Sequence, residues 1–210
     1  MELFSMIFGA LFSVMNPLGT VPVFVGLTHE HTKKERTKVA FKTSINVLII
    51  LLISFFMGKY ILNFFGISIN SLKIAGGLII TSSGFALLTG QFTKHKGMKK
   101  KSVEEDIESR TEISMTPLAL PMIAGPGTIS LLITYNQEYS GWDNILTILI
   151  AIVFSTGLIF YILHSSFMIV KVLGASGINA LSRIIGFIVI ALGIEFVVSA
   201  TTSIMKDFIH

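Results

Sequence analysis

The sequence predicts an all-α, polytopic membrane protein with six transmembrane helices in two inverted three-helix repeats, with helices 1 and 4 discontinuous. Three observations predict this fold. The chain of 210 residues is 52% apolar and only 13% charged, whereas a soluble domain carries about 25% charged residues. Its apolar residues form six long runs. All five prolines fall in two of those runs.

Each apolar run is long enough to cross a bilayer, because about 20 helical residues at 1.5 Å per residue span the ~30 Å hydrocarbon core. The runs lack the two-residue alternation of membrane barrel strands. No Lys or Arg precedes Lys33, so the first run lacks the basic start of a cleavable signal and is expected to be retained. We number the runs spans 1 to 6: Leu3–Leu27, Val39–Phe65, Leu72–Phe92, Ile113–Tyr135, Ile145–Val170 and Leu181–Met205.

The basic residues predict the orientation of the chain. Of the 16 Lys and Arg residues, 13 lie in or beside the loops that follow spans 1, 3 and 5. The positive-inside rule makes these loops cytoplasmic and places both termini outside, in a multi-pass protein of the cell (cytoplasmic) membrane. Because the net charge of +4 is confined to loops, it reports orientation and indicates no nucleic-acid partner.

A charged linker at 93–112 separates two halves, 1–92 and 113–210, whose sequences resemble each other. NPLGTVP (16–22) parallels TPLALP (116–121), and INSLKIAGGLII (69–80) aligns with INALSRIIGFIVI (178–190) when one residue is inserted, which matches Gly76 with Gly186. Three spans per half is an odd number, so the second half must be inverted in the membrane. Inverted repeats of this kind are typical of secondary transporters.

The prolines predict where spans 1 and 4 are interrupted. Irregular backbone at membrane depth is tolerated where it is buried in protein or lines a cavity. Proline suits the first position of a helix, so Pro22 and Pro126 are each expected to open a second half-helix. The alternative is a set of proline kinks that only shape helix packing. The helix-break prolines are Pro17, Pro22, Pro117, Pro121 and Pro126.

Paired breaks predict a binding site between them. Free amides at a helix start suit an anion, and free carbonyls at a helix end suit a cation, so a zwitterionic amino acid fits both. Gly127 is expected to line a cavity, and either break is open as the carboxylate site. The substrate-binding candidates are Asn16, Gly19, Thr20, Val21, Gly125, Gly127 and Thr128.

NPLGTVPVF, followed about a hundred residues later by PLALPMIAGPGTIS, resembles the MarC family, which includes the SnatA-type small neutral amino acid transporters of prokaryotes. The resemblance covers nearly the whole chain. It implies import of glycine, alanine and similar amino acids, driven by an ion gradient, with H⁺ favoured over Na⁺ as the coupling ion. The substrate of this member, and whether it forms a homo-oligomer, are left open.

Glu195 in span 6 is the ion-coupling candidate, because a carboxylate inside a membrane span is costly and often functional. The alternative is a structural acid that is paired with a polar neighbour or wetted near the outer surface. The chain has no cysteine, so no thiolate metal site forms, and no metal or other cofactor is expected. No enzyme motif occurs. An intramembrane hydrolase is a weak alternative, and the stronger rivals are a LysE-type exporter and a non-transporting membrane scaffold.

Overall fold

The computed structural model describes residues 2–89, 118–119 and 122–209, and regular structure within these ranges is helical. Five stretches are long and apolar enough to cross a membrane, and they correspond to spans 1, 2, 3, 5 and 6. The predicted all-α membrane fold is therefore confirmed. Pro117, Pro121, the whole linker at 93–112 and the beginning of span 4 lie outside the described residues. The helices are α1 (Glu2–Met15), α2 (Pro17–Leu27), α3 (Lys33–Phe65), α4 (Ile69–Leu88), α5 (Pro126–Glu138), α6 (Trp142–His164) and α7 (Ser166–Ile209).

Helix α3 begins six residues before the apolar run that predicts it, because a capping box starts it in the polar segment. The Thr32 N–H donates to the Glu35 carboxylate over 2.7 Å, and the Glu35 N–H donates to Thr32 Oγ1 over 3.4 Å. These bonds satisfy amides that have no intrahelical acceptor. Hydropathy places the membrane boundary near Val39, whereas the cap places the helix boundary at Lys33.

The connection between spans 5 and 6 is shorter than the apolar runs predict. Helix α6 ends at His164 and α7 begins at Ser166, and within α7 only Gly174 leaves the helical region, with φ 64° and ψ 175°. The segment expected to be a loop is helical and contributes Ile178 to a small core with Val21 and Ile162. That contact ties the beginning of α7 to α2.

The outside of the bundle is apolar. Large side chains such as Ile53, Phe56, Phe154 and Phe187 are half exposed or more. Monomeric soluble proteins rarely expose contiguous apolar patches larger than a few hundred Å². These side chains belong to the stretches that are long enough to cross a membrane, which is the arrangement expected where lipid replaces water.

Helices α4 and α7 pack through two reciprocal glycine pairs. A Cβ on Gly77 would meet the carbonyl oxygen of Gly193 and the reverse, and the same holds for Gly84 and Gly186. The two glycines of α7 follow the two glycines of α4 at the same interval: Gly186 lies 109 residues after Gly77, and Gly193 lies 109 residues after Gly84. A shift of 109 residues therefore relates the glycines of one half to those of the other. This relation is compatible with an inverted repeat. It pairs Gly186 with Gly77 without an inserted residue, whereas the sequence alignment pairs Gly186 with Gly76.

Candidate functional site at two helix breaks

The first break lies at Asn16, between α1 and α2. Asn16 has a left-handed backbone, with φ 42° and ψ 62°, and its side-chain Oδ1 accepts the Gly19 N–H over 3.2 Å. Asn tolerates this backbone better than most residues and is a favoured N-cap. A Cβ on Gly19 would overlap the Asn16 amide, so the cap requires glycine at that position. Pro17 then occupies the start of α2.

The prediction that Pro22 opens the second half-helix of span 1 is wrong. Pro22 lies inside α2, and the half-helix begins five residues earlier at Pro17. The physical reason is the residue that precedes each proline. Asn16 supplies both the left-handed turn and the cap, whereas Val21 before Pro22 supplies neither, since branched apolar residues are poor caps.

The second break lies at Gly125, and here the predicted role of Pro126 is confirmed. Gly125 is extended, Pro126 begins α5, and no side chain caps that helix start. Before the break, Ala124 N–H donates to Ala119 O over 2.9 Å, a wider turn than an α-helix makes. Thr128 Oγ1 donates back to Ile123 O over 3.2 Å. The Gly127 and Thr128 amides lie in the first turn, where a helix offers them no acceptor.

The two breaks are neighbours in space. A Cβ built on Gly127 would lie 3.6 Å from Cγ1 of Val14, two residues before Asn16, and 2.8 Å from Cγ1 of Ile80 on α4. Thr128 and Asn16 are each 1% exposed, and Ile80 is fully buried. Sequence reasoning missed Val14 and Ile80, because apolar residues inside spans carry no signal that separates a site wall from packed core.

The breaks lie near the middle of the bundle. Exposed Lys42 and Lys59 on α3 are about 26 Å apart along the helix axis, close to the hydrocarbon thickness. Gly58 packs against Ile133, which aligns α5 beside the second half of α3. Gly127, six residues before Ile133, is then level with residue 52, near the midpoint between the two lysines.

This arrangement brings two helix starts together at mid-depth. From there α5 runs toward the face that carries residues 66–68, and α2 runs toward the face that carries residues 29–32. Both helices present the positive ends of their dipoles at the breaks. The α2 start is capped by Asn16, and the α5 start has no side-chain cap. The site can therefore hold a negatively charged group, and α5 has the unfilled amides.

Asn16 adds a donor at the same place. Its Nδ2 is buried and has no hydrogen-bond partner among the described residues. A buried donor left without a partner costs about 1–3 kcal/mol. A ligand acceptor at this position would recover that cost, which makes Asn16 Nδ2 the second polar group of the site.

Of the other predicted site residues, Thr20 lies beside a break, whereas Val21 and Glu195 pack or project elsewhere. Thr20 lies in the first turn of α2, where its Oγ1 donates to Asn16 O over 3.3 Å. The side chain of Val21 packs against Ile162 and Ile178, in a core separate from the one that contains Ile80. Glu195 is exposed on α7, between Gly193 and Phe196, which pack against α4, and within the described part of the chain it forms no hydrogen bond or ion pair with either break.

The expectation that Gly127 lines an open cavity is wrong for this conformation. The space where its Cβ would project is filled by Ile80 and Val14. A Gly127→Val variant is therefore expected to disturb packing as well as binding, and it is not a clean test of the site. The breaks are closed around each other, and a ligand would require these side chains to separate.

The whole chain has known relatives. The family model described as "MarC family integral membrane protein" matches residues 1–205. The UPF0056 membrane protein of Buchnera aphidicola subsp. Schizaphis graminum is 39% identical over 203 residues, 97% of this chain and 93% of that protein. The UPF0056 membrane protein YhcE of Escherichia coli is 35% identical over 203 residues, 97% of this chain and 94% of that protein.

A third relative, the UPF0056 inner membrane protein MarC of Citrobacter koseri, is 32% identical over 206 residues, 94% of this chain and 93% of that protein. No solved structure gives a significant match. With its matched length, its apolar helices and its full-length relatives in agreement, the chain belongs to the MarC family of integral membrane proteins.

Proposed function

We propose that this protein is a secondary transporter that imports small neutral amino acids, glycine and alanine among them, across the cell membrane by alternating access. One observation carries the proposal: two helix starts meet at mid-depth, the α5 start uncapped, beside the unpartnered Asn16 amide. Discontinuous helices whose N-termini meet near the membrane midplane are the usual anion sites of secondary transporters.

The α5 start is the better place for the substrate carboxylate. Its Gly127 and Thr128 amides have no side-chain cap, whereas Asn16 Oδ1 already accepts the Gly19 amide at the start of α2. Carbonyls at the end of α1 would face the ammonium group, since a helix end leaves four carbonyls without intrahelical donors. The proposed zwitterion thus lies across the gap between α1 and α5.

The crowding around this gap supports a small substrate. Val14 and Ile80 already occupy the volume beside Gly127. Any ligand beside Gly127 must displace these side chains, and each larger substrate side chain must displace them further, which cores resist at a cost of about 1–3 kcal/mol. Glycine and alanine are therefore expected to bind and leucine to be excluded.

Uptake of labelled glycine into proteoliposomes that hold the purified protein tests the proposal. We expect saturable uptake that unlabelled alanine inhibits and leucine does not, and that an imposed proton gradient increases. A scaffold would give no uptake above empty liposomes. A LysE-type exporter would transport, but in cells its preferred direction would be outward, so intracellular glycine would fall on expression.

The same assay tests the coupling residue. The exposure of Glu195 favours a structural acid wetted near the outer surface, because it lies one turn before Ser199, which is level with Lys73 near the end of the bundle. We expect Glu195→Gln to keep proton-driven accumulation. Loss of accumulation, with downhill exchange preserved, would instead assign the coupling proton to Glu195.

A further inference from the structure

The end of α5 that points away from the break is held by an ion pair whose lysine is buried and whose carboxylate is 37% exposed. Lys73 Nζ on α4 donates to Glu138 Oε1, the last residue of α5, and lies 3.4 Å from Ser199 Oγ on α7. The Lys73 side chain is only 9% exposed. Breaking the pair inside the closed structure would leave the buried ammonium group without its carboxylate, which is unfavourable. The pair therefore fixes α5 against α4 and α7.

The corresponding end of α2 is held by Arg36. Its Nε donates to Thr28 O over 3.0 Å and its Nη2 donates to His29 O over 2.7 Å. The same guanidinium lies 3.6 Å from the centre of the Phe167 ring, near the beginning of α7. One side chain of α3 thus ties the carboxyl end of α2 to α7 through hydrogen bonds and a cation–π contact.

These two attachments lie on opposite faces of the bundle. Glu138 precedes the turn at 139–141 on the face where α3 ends, and Thr28 precedes the turn at 29–32 on the face where α3 begins. Both short helices start at the closed breaks and run outward to one attachment each. In this structure both attachments are made, the space beside Gly127 is filled, and Asn16 and Thr128 at the breaks are buried.

We propose that α5 and α2 are the two gates of the transporter, with Lys73–Glu138 latching the gate on the 66–68 face and Arg36 latching the gate on the 29–32 face. The inference rests on the proposed transport function. An ion pair suits a latch because water entering an opened gate hydrates both charges and offsets the loss of the pair. Opening one latch at a time admits substrate from one face only, which is what alternating access requires.

Cysteine accessibility tests the gates without any substrate, and the chain has no native cysteine. Thr128→Cys places a thiol at the second break, and an impermeant maleimide is applied to one face of oriented membrane vesicles. Lys73→Ala and Glu138→Gln should each raise the labelling rate from the 66–68 face about tenfold, since an open state populated at 0.1–10% can rise that far. Arg36→Ala should raise labelling from the 29–32 face only.

Matched controls separate gating from general loosening. Lys59→Ala and Lys34→Ala remove exposed lysines near the same two faces and should leave labelling unchanged. The charge swap Lys73→Glu with Glu138→Lys should restore slow labelling. The proposal is overturned if the latch variants label like wild type, or if any of them labels faster from both faces. Failure of glycine uptake in wild type would remove the substrate assignment and leave this result unaffected.

Discussion

Asn16 is the one non-glycine residue in the described part of the chain with a positive φ. A left-handed backbone costs an ordinary L-residue about 1–2 kcal/mol. Asn16 offsets that cost because its side-chain Oδ1 accepts the Gly19 N–H. Its side-chain Nδ2 remains beside the break as a buried donor without a partner among the described residues. A strained residue with a spare buried donor is more informative about a site than the prolines that surround it.

Two substitutions at this residue separate its structural role from its binding role. Asn16→Ala loses the cap and places a Cβ in the left-handed backbone, so we expect a loss of about 2 kcal/mol in the free energy of unfolding. Asn16→Gly keeps the backbone conformation and should lose under about 1 kcal/mol. Both remove Nδ2, so glycine affinity should fall about three- to tenfold in both. Thermal unfolding in detergent and glycine binding by calorimetry measure the two effects, and full affinity in Asn16→Gly would contradict the binding role.

Prolines are the residues on which prediction from sequence was only half successful. Pro126 follows a glycine and begins α5 as expected, whereas Pro22 follows Val21 and lies within α2. The residue before a proline, as a cap or as a tolerant left-handed position, decides whether the helix restarts there. Val14 and Ile80 were not predictable at all, because their role depends on a contact between distant segments.

Among the helices, the glycine pairs of α4 and α7 allow direct backbone contact between two elements. The backbone carbonyls of Gly77 and Gly193 each occupy the place where the other's Cβ would project. Without a hydrophobic driving force in lipid, close backbone approach of this kind is a main source of helix association. This contact joins the last helix of the first half to the last helix of the second.

Adding one methyl group to this contact should therefore be costly. In Gly77→Ala the new Cβ meets a backbone carbonyl, which cannot move without its helix, and we expect a loss of about 1–3 kcal/mol in the free energy of unfolding. Gly157→Ala on α6 is the matched control, since nothing lies within 4 Å of its Cβ and alanine favours helix. We expect the melting temperature of Gly77→Ala to fall below that of Gly157→Ala. Equal melting temperatures would mean that this contact does not stabilise the packing of α4 against α7.

Element boundaries show what hydropathy can and cannot predict. Five of the six apolar runs coincide with stretches of the described chain that are long and apolar enough to cross a membrane, because lipid exposure demands about 20 apolar residues. They misplace the beginning of α3, which a capping box sets at Lys33, and the beginning of α7, where Gly174 alone interrupts the helix. Caps and single-residue turns are local events that average hydropathy does not register.

At the scale of the whole molecule, charge predicts orientation. The loops after spans 1, 3 and 5 hold most of the basic residues, and the loop turns at 66–68 and 139–141 hold none. The proposed gates also depend on this axis, because Lys73–Glu138 and Arg36 belong to opposite faces. If the basic linker is cytoplasmic, as the positive-inside rule predicts, the Lys73–Glu138 latch is on the outer face.

A single cysteine at position 99 tests this orientation. In intact cells an impermeant maleimide should not label it, and it should label after the membrane is opened, because the positive-inside rule keeps Lys-rich loops cytoplasmic. Ser140→Cys, in the exposed turn between α5 and α6, is the control and should label in intact cells. Labelling of position 99 but not of position 140 in intact cells would mean that the orientation is the opposite of the predicted one. The outer and inner gates would then be exchanged.

A structure of the protein determined with glycine bound is the sharpest test of the proposed site. We expect density for one glycine between the two breaks, with its carboxylate at the Gly127 and Thr128 amides and within reach of Asn16 Nδ2, and with Ile80 moved away from Gly127. Glycine bound elsewhere, or continuous helical hydrogen bonding through Asn16 and Gly125 in the bound state, would contradict it.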